Sequence, residues 1–225
     1  KRLVGVVTVK DSIAVQSIGY KKYLPLGNPL FLVQNLDNWG ADEINIQCID
    51  RSSKNLGPDL ELLKRISNLG ISTPLIYGGG IRNTDDAIKV IKMGADRISL
   101  DFLLQKNQKE VCSISKTIGA QAIIGVLPIN IINKNIYLLN HVTKIQNKIS
   151  NSILKLFSER IILETMIVDW KNEGKSKAFK KKLLDFKILK EFNKILFGGI
   201  TDINQIKNLM NKKNINAIRI GNSLN

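Results

Sequence analysis

Short continuous apolar runs recur along the chain at Leu3–Val7, Glu43–Ile49, Leu75–Tyr77, Arg97–Leu100, Ala122–Leu127, Ile161–Val168, Ile195–Phe197 and Ala217–Ile220. Runs of this length without polar alternation are what parallel strands buried on both faces require. Between them, near 29–38, 58–68, 84–93, 107–117, 145–158, 183–192 and 203–212, apolar residues return every three or four positions, the spacing of amphipathic helices. Asn83-Thr84-Asp85-Asp86 and Thr201-Asp202 supply short polar side chains that accept from the free N–H groups of a first helical turn. Eight strands alternating with helices predict an α/β fold, the (βα)8 TIM barrel, as one domain over residues 1–225. The length agrees, since such a barrel needs about 200 to 250 residues. Only seven helical stretches accompany the eight strands, so the eighth helix is expected to be missing or truncated.

A shift of 120 residues lays the chain on itself: Val4-Gly5-Val6 falls on Ile124-Gly125-Val126, Asp96–Leu100 on Asn216–Ile220, and Gly79-Gly80-Ile81 near Gly198-Gly199-Ile200. Three strands in one register predict two similar half-barrels, about 1–120 and 121–225.

Composition narrows the function classes. An apolar content of 44% fills such a core, and no apolar run approaches the roughly 20 residues of a membrane span. The N-terminal segment lacks the pattern of a signal peptide, so a soluble cytoplasmic protein without membrane association is expected. Cys48 and Cys112 have no metal-ligand spacing, and His141 is the one histidine, so neither a metal site nor a disulfide is expected, and no cofactor. A Ser-His-Asp triad would have to run through His141; a histidine in a loop or at the core edge is the plainer reading. The formal charge of +15 is spread over the second half, and its densest run, Lys175 to Lys182, lacks interleaved stacking aromatics. A solvated face, or a basic loop near a phosphate site, fits this better than a nucleic-acid groove.

In such barrels ligand groups come from loops at the C-terminal ends of strands. Gly79 and Gly80 follow the third strand and Gly198 and Gly199 the seventh, where glycine lets backbone N–H groups approach an anion. The strands that follow end in Asp101 and in Gly221-Asn222, so two opposed phosphate sites across one mouth are expected, suited to a ligand phosphorylated at both ends. Tight strand–helix packing is the alternative role for the same glycines, and an ionised Asp101 disfavours an anion in the first half.

Lys1-Arg2-Leu3-Val4, Val9-Lys10-Asp11, Gly40-Ala41-Asp42-Glu43-Ile44, Gly78-Gly79-Gly80-Ile81-Arg82, Gly94-Ala95-Asp96-Arg97-Ile98-Ser99 and Gly119-Ala120-Gln121-Ala122 resemble the cyclase subunit of imidazole glycerol phosphate synthase. The resemblance is strong over 1–127 and weaker over 128–193. The stretch from Val15 to Gly27 is similar to paralogues found with surface-polysaccharide and nonulosonic-sugar pathways, in which an amidotransferase supplies ammonia. The resemblance implies a glutaminase or glutamine amidotransferase partner, a phosphorylated small-molecule substrate and lyase-type ring closure by two facing aspartates, as in histidine biosynthesis. Thr8 and Pro128 stand at those two positions and Gln16 at that of a flexible-loop lysine. Threonine is a poor base near neutral pH and proline has no side-chain proton chemistry, so ordinary cyclase activity is not expected. Asp11, Asp50 and Asp169 are candidate substitutes, with loop or helix capping as their alternative role. A catalytically silent barrel that docks and activates the amidotransferase is the second reading. The resemblance further implies a ring of charges gating an ammonia passage at the opposite end, with Arg2, Glu43 and Arg97 on three positions and Arg160 or its neighbour Glu159 on the fourth. Stabilisation of the barrel floor is its alternative role.

Overall fold

The computed structural model describes residues 1–221. Its strands are β1 (Arg2–Lys10), β2 (Ile13–Ile18), β3 (Lys22–Gly27), β4 (Glu43–Cys48), β5 (Leu75–Gly78), β6 (Arg97–Leu100), β7 (Ile123–Ile132), β8 (Asn135–Leu139), β9 (Gln146–Lys148), β10 (Glu164–Val168), β11 (Asn193–Phe197) and β12 (Ile215–Ile220). Its helices are α1 (Pro29–Asn38), α2 (Leu60–Ser67), α3 (Thr84–Lys92), α4 (Phe102–Lys106), α5 (Gln108–Ile118), α6 (Asn151–Ser158), α7 (Lys187–Lys190) and α8 (Ile203–Met210). Eight strands pair in parallel in the order β1, β4, β5, β6, β7, β10, β11, β12, and β12 returns to β1 through Arg2–Ala217 to Gly5–Ile220, closing a (βα)8 barrel. Every expected apolar run contributes one of these strands. Among the described residues, seven helical connections join them, and no helix is long and apolar enough to cross a membrane.

The remaining strands form two antiparallel additions. β1 continues past the rim to pair with β2, which pairs with β3. β7 does the same with β8, and β8 with β9. The helix expected over 145–158 is therefore shorter: Gln146–Lys148 is a strand, and α6 begins after Ser150, whose Oγ accepts from Ile153 N at 3.3 Å. The stretch 183–192 is a 3-10 turn over Lys181–Leu184 followed by the short α7.

Two cores result. Between strands and helices, side chains such as Leu63, Ile66, Val90 and Ile114 are fully buried, each contributing about 1.5 to 3 kcal/mol. Inside the barrel, Val4, Ile76, Ile124, Val126, Met166, Val168, Ile195 and Ala217 form a separate apolar cluster. The repeat has a packing cause. A Cβ on Gly5 would lie 2.7 Å from Leu36 of α1, and one on Gly125 2.6 Å from Phe157 of α6, so β1 and β7 each use a glycine to seat a helix.

Candidate active site at the barrel mouth

The C-terminal ends of the strands enclose a cavity of about 330 Å³, lined among others by Thr8, Asp50, Asp101, His141, Glu173 and Arg219. Parallel strands present alternate residues inward, so one layer below the rim Gln47, Ser99 and Arg219 point into it. Gly78 makes this layer possible, since a Cβ there would lie 2.2 Å from Ser99 Oγ and 2.9 Å from Gln47 Oε1. Ser99 Oγ and Arg219 Nε are buried without hydrogen-bond partners among the described residues.

Thr8 reaches the cavity, whereas Pro128 is buried and does not line it. Pro128 lies beyond the last β6 pair, Leu100–Gly125, and opposite Val168 of β10, where the pairing of these two strands ends. Asp50 lines the cavity but is held by Lys54 Nζ at 2.8 Å and by Asp11 N at 3.2 Å. Asp11 is exposed at the rim, and its hydrogen bonds to Lys54 and Lys10 lower its pKa to about 2. Asp169 is buried, and its Oδ2 accepts from Asn172 Nδ2 at 2.8 Å and Lys180 N at 2.9 Å, the role of a loop cap. Gln16 lies on β2 beside a smaller cavity of about 160 Å³ that includes Gly198, Gly199 and Gly221. Asn222 lies outside the described residues.

His141, on the loop joining β8 to β9, comes to the cavity beside Asp101. Its Nδ1 lies 2.9 Å from Asp101 Oδ2, and Gln105 Nε2 donates to Asp101 Oδ1 at 2.9 Å, so the carboxylate is fixed on both sides. Asp101 is thus no isolated charge facing a phosphate, and its expected repulsion of an anion is offset whenever His141 is protonated. Burial lowers the imidazole pKa, but the charge and hydrogen bond of Asp101 outweigh this and the opposing Lys144, leaving it raised above 6.5. A raised histidine pKa stabilises the fold fully below the unfolded value and ceases to do so as pH rises through the folded value. Asp101→Asn is therefore expected to lower the midpoint of the chain's one histidine Hε1 resonance below that of the wild type. Equal midpoints would show that the pair is not formed in solution.

The glycine loops repeat the same geometry. Gly79 (φ +122) and Gly198 (φ +98) lie against the carbonyls of Cys48 and Asp169, where a Cβ would come within 2.1 and 2.5 Å. A Cβ on Gly80 or Gly199 would lie 2.5 Å from Gly57 O or 2.8 Å from Phe179 N. Packing thus demands glycine at all four, whatever their loops bind. Gly79→Ala is expected to destabilise by more than about 2 kcal/mol, through backbone collision added to the cost of left-handed φ, while Gly70→Ala, with open space around it, costs about 1. Equal urea midpoints for the two variants would refute the packing argument.

At the opposite end, Arg2, Glu43, Arg97 and Glu164 close a ring. Arg2 pairs with Glu43 at 3.0 Å and Glu164 at 2.5 Å; Arg97 pairs with Glu43 at 3.3 Å and Glu164 at 2.7 Å. The fourth member is Glu164 on β10, not Arg160 or Glu159, which lie exposed in the turn after α6. Strand parity accounts for this: Glu164 shares the inward face with Met166 and Val168, whereas Arg160 precedes the strand. The same parity on β12 turns Arg219 inward with Ala217. Both were visible in the sequence as charges inside apolar runs. His141 had no such signal, because its place depends on a hairpin.

The profile of the histidine biosynthesis protein family matches residues 2–224. The chain is 28% identical to the imidazole glycerol phosphate synthase subunit HisF of Sulfolobus acidocaldarius, over 77% of this chain and 72% of that protein. It is 23% identical to a putative subunit HisF of Leptospira borgpetersenii, over 98% of this chain and 88% of the relative. A putative subunit hisF3 of Vibrio vulnificus is 29% identical over 57% of the chain and 49% of its own length.

Proposed function

The chain belongs to the histidine biosynthesis protein family, and from that premise we propose that it is a divergent barrel subunit that receives ammonia from a glutamine amidotransferase and uses it on a phosphorylated substrate outside ordinary histidine synthesis. The observation that carries this reading is the pairing of a closed ionic ring at one end of the barrel with a polar cavity at the other, with an apolar core between them. An ion-paired ring can part and re-form without leaving a buried charge alone, which suits a gate. At the mouth, Thr8 and Pro128 supply no acid or base for ring closure, and Asp101–His141 is the group suited to proton transfer near neutral pH. Its carboxylate orients the imidazole and favours its charged form, leaving Nε2 as the exchanging atom.

The same two substitutions favour the second reading, in which the barrel docks and activates the amidotransferase without chemistry of its own. The experiment is titration of the purified chain into a glutaminase subunit of this family with glutamine labelled at the amide nitrogen. Stimulated glutamine hydrolysis that Arg97→Glu abolishes is expected. Label released only as free ammonia, with every phosphorylated acceptor tried, would favour the silent barrel, and absence of both binding and stimulation would defeat both readings.

A further inference from the structure

We propose that Arg219 is the base of an anion-binding subsite inside the barrel, taking a phosphate or carboxylate group of the ligand. Arg219 is 4% exposed, in the middle of β12. Its guanidinium lies over the Phe197 ring at 4.6 Å, and its Nη1 meets only the weak acceptor Met166 Sδ, at 3.0 Å. Its Nε is buried with no partner. Among the described residues no carboxylate reaches ion-pair distance, although Arg2, Arg51, Arg82 and Arg97 are all paired and Arg65 and Arg160 are exposed.

The acid whose charge Arg219 feels is Glu173, and that carboxylate is engaged elsewhere. Its Oε2 accepts from Tyr20 N at 3.3 Å and the carboxylate also interacts with the Ser17 side chain, while Gly19 N donates to the Glu173 backbone carbonyl at 3.1 Å. Burial lowers the Arg219 pKa to about 10 against the opposing pull of Tyr20 and Glu173, as befits a cation held without a counterion. An unpaired buried charge destabilises a fold, and a rigid fork of donors matches a phosphate or carboxylate. The position completes the case. Arg219 borders both the central cavity and the smaller one over Gly198 and Gly199, so an anion at their junction meets the guanidinium from either side. Ser99 Oγ, unpartnered in the central cavity, supplies a further polar contact on the same ligand.

This inference rests on the ligand being anionic, and needs neither ammonia nor a partner. Calorimetric titration of the isolated chain with inorganic phosphate, and separately with malonate, tests it. The wild type is expected to bind at least one of them saturably, the two arms separating a phosphate from a carboxylate site. Arg219→Met is expected to bind about tenfold more weakly or worse, and to melt about 2 to 4 °C higher because a buried unpaired charge is gone. Arg219→Lys should retain part of the affinity. Wild-type affinity in Arg219→Met would overturn the proposal yet leave a phosphorylated ligand on the glycine loops intact; no binding by the wild type would overturn both. Should Arg219→Met fold poorly, the Arg219 Nε–H resonance of the wild type decides: a shift on adding the bound anion supports the subsite, and an unmoved resonance rejects it.

Discussion

Supplied with ammonium salts and the bisphosphorylated substrate of histidine synthesis, the isolated chain is expected to form imidazole product orders of magnitude more slowly than ordinary cyclase subunits. General acid–base groups contribute factors of about 10² to 10⁴ each, and both family positions lack one. Thr8 faces the cavity with a hydroxyl, and Pro128 is buried within β7. Asp11 cannot stand in as a base, since its lysine partners hold it near the bottom of the carboxylate range. Groups acting as a unit do not multiply simply, so Thr8→Asp alone should recover little. Thr8→Asp with Pro128→Asp is the better rescue, measured as single-turnover product formation. Wild-type turnover near the family rate would reverse this expectation, and loss of that turnover in His141→Gln would then assign the proton transfers to the Asp101–His141 pair.

Glu164→Ala is expected to destabilise the chain by about 3 kcal/mol, the range for removing one partner of a buried pair, taken at its lower end because Arg2 is partly solvated. The side chains of Glu43 and Glu164 are each 7% exposed, so Glu43 alone would face two arginines. Urea unfolding with unchanged slope reads the loss directly. A difference below about 0.5 kcal/mol would mean that water screens the ring as it screens surface pairs.

The barrel was legible because each strand is buried on both faces and therefore apolar throughout, a pattern that survives without knowledge of neighbours. The hairpins were not: β3 carries Leu24 and Leu26 but buries none of its residues, and β9 is three polar residues long, so neither shows the doubly buried apolar run of a barrel strand. From that gap came the misplaced start of α6 and the plain reading of His141, whose role depends on β8 and β9 returning it to Asp101. Glu164 and Arg219 lay inside strands already recognised, and counting alternate residues inward from Val168 and Ala217 would have found both. The glycine pairs were located, but their collision with neighbouring backbone depends on loops that no local pattern describes.

Between the ionic ring and the cavity lies a layer of Val4, Ile76, Ile124, Met166, Ile195 and Ala217, together with the buried Asn45, whose Nδ2 donates to Ile76 O at 3.3 Å while its Oδ1 has no hydrogen-bond partner among the described residues. An ion entering this layer would shed its water and find no opposite charge, whereas a small neutral solute would meet one free acceptor. The layer therefore separates the two charged ends of the barrel by an apolar zone in which a bare ion is costly.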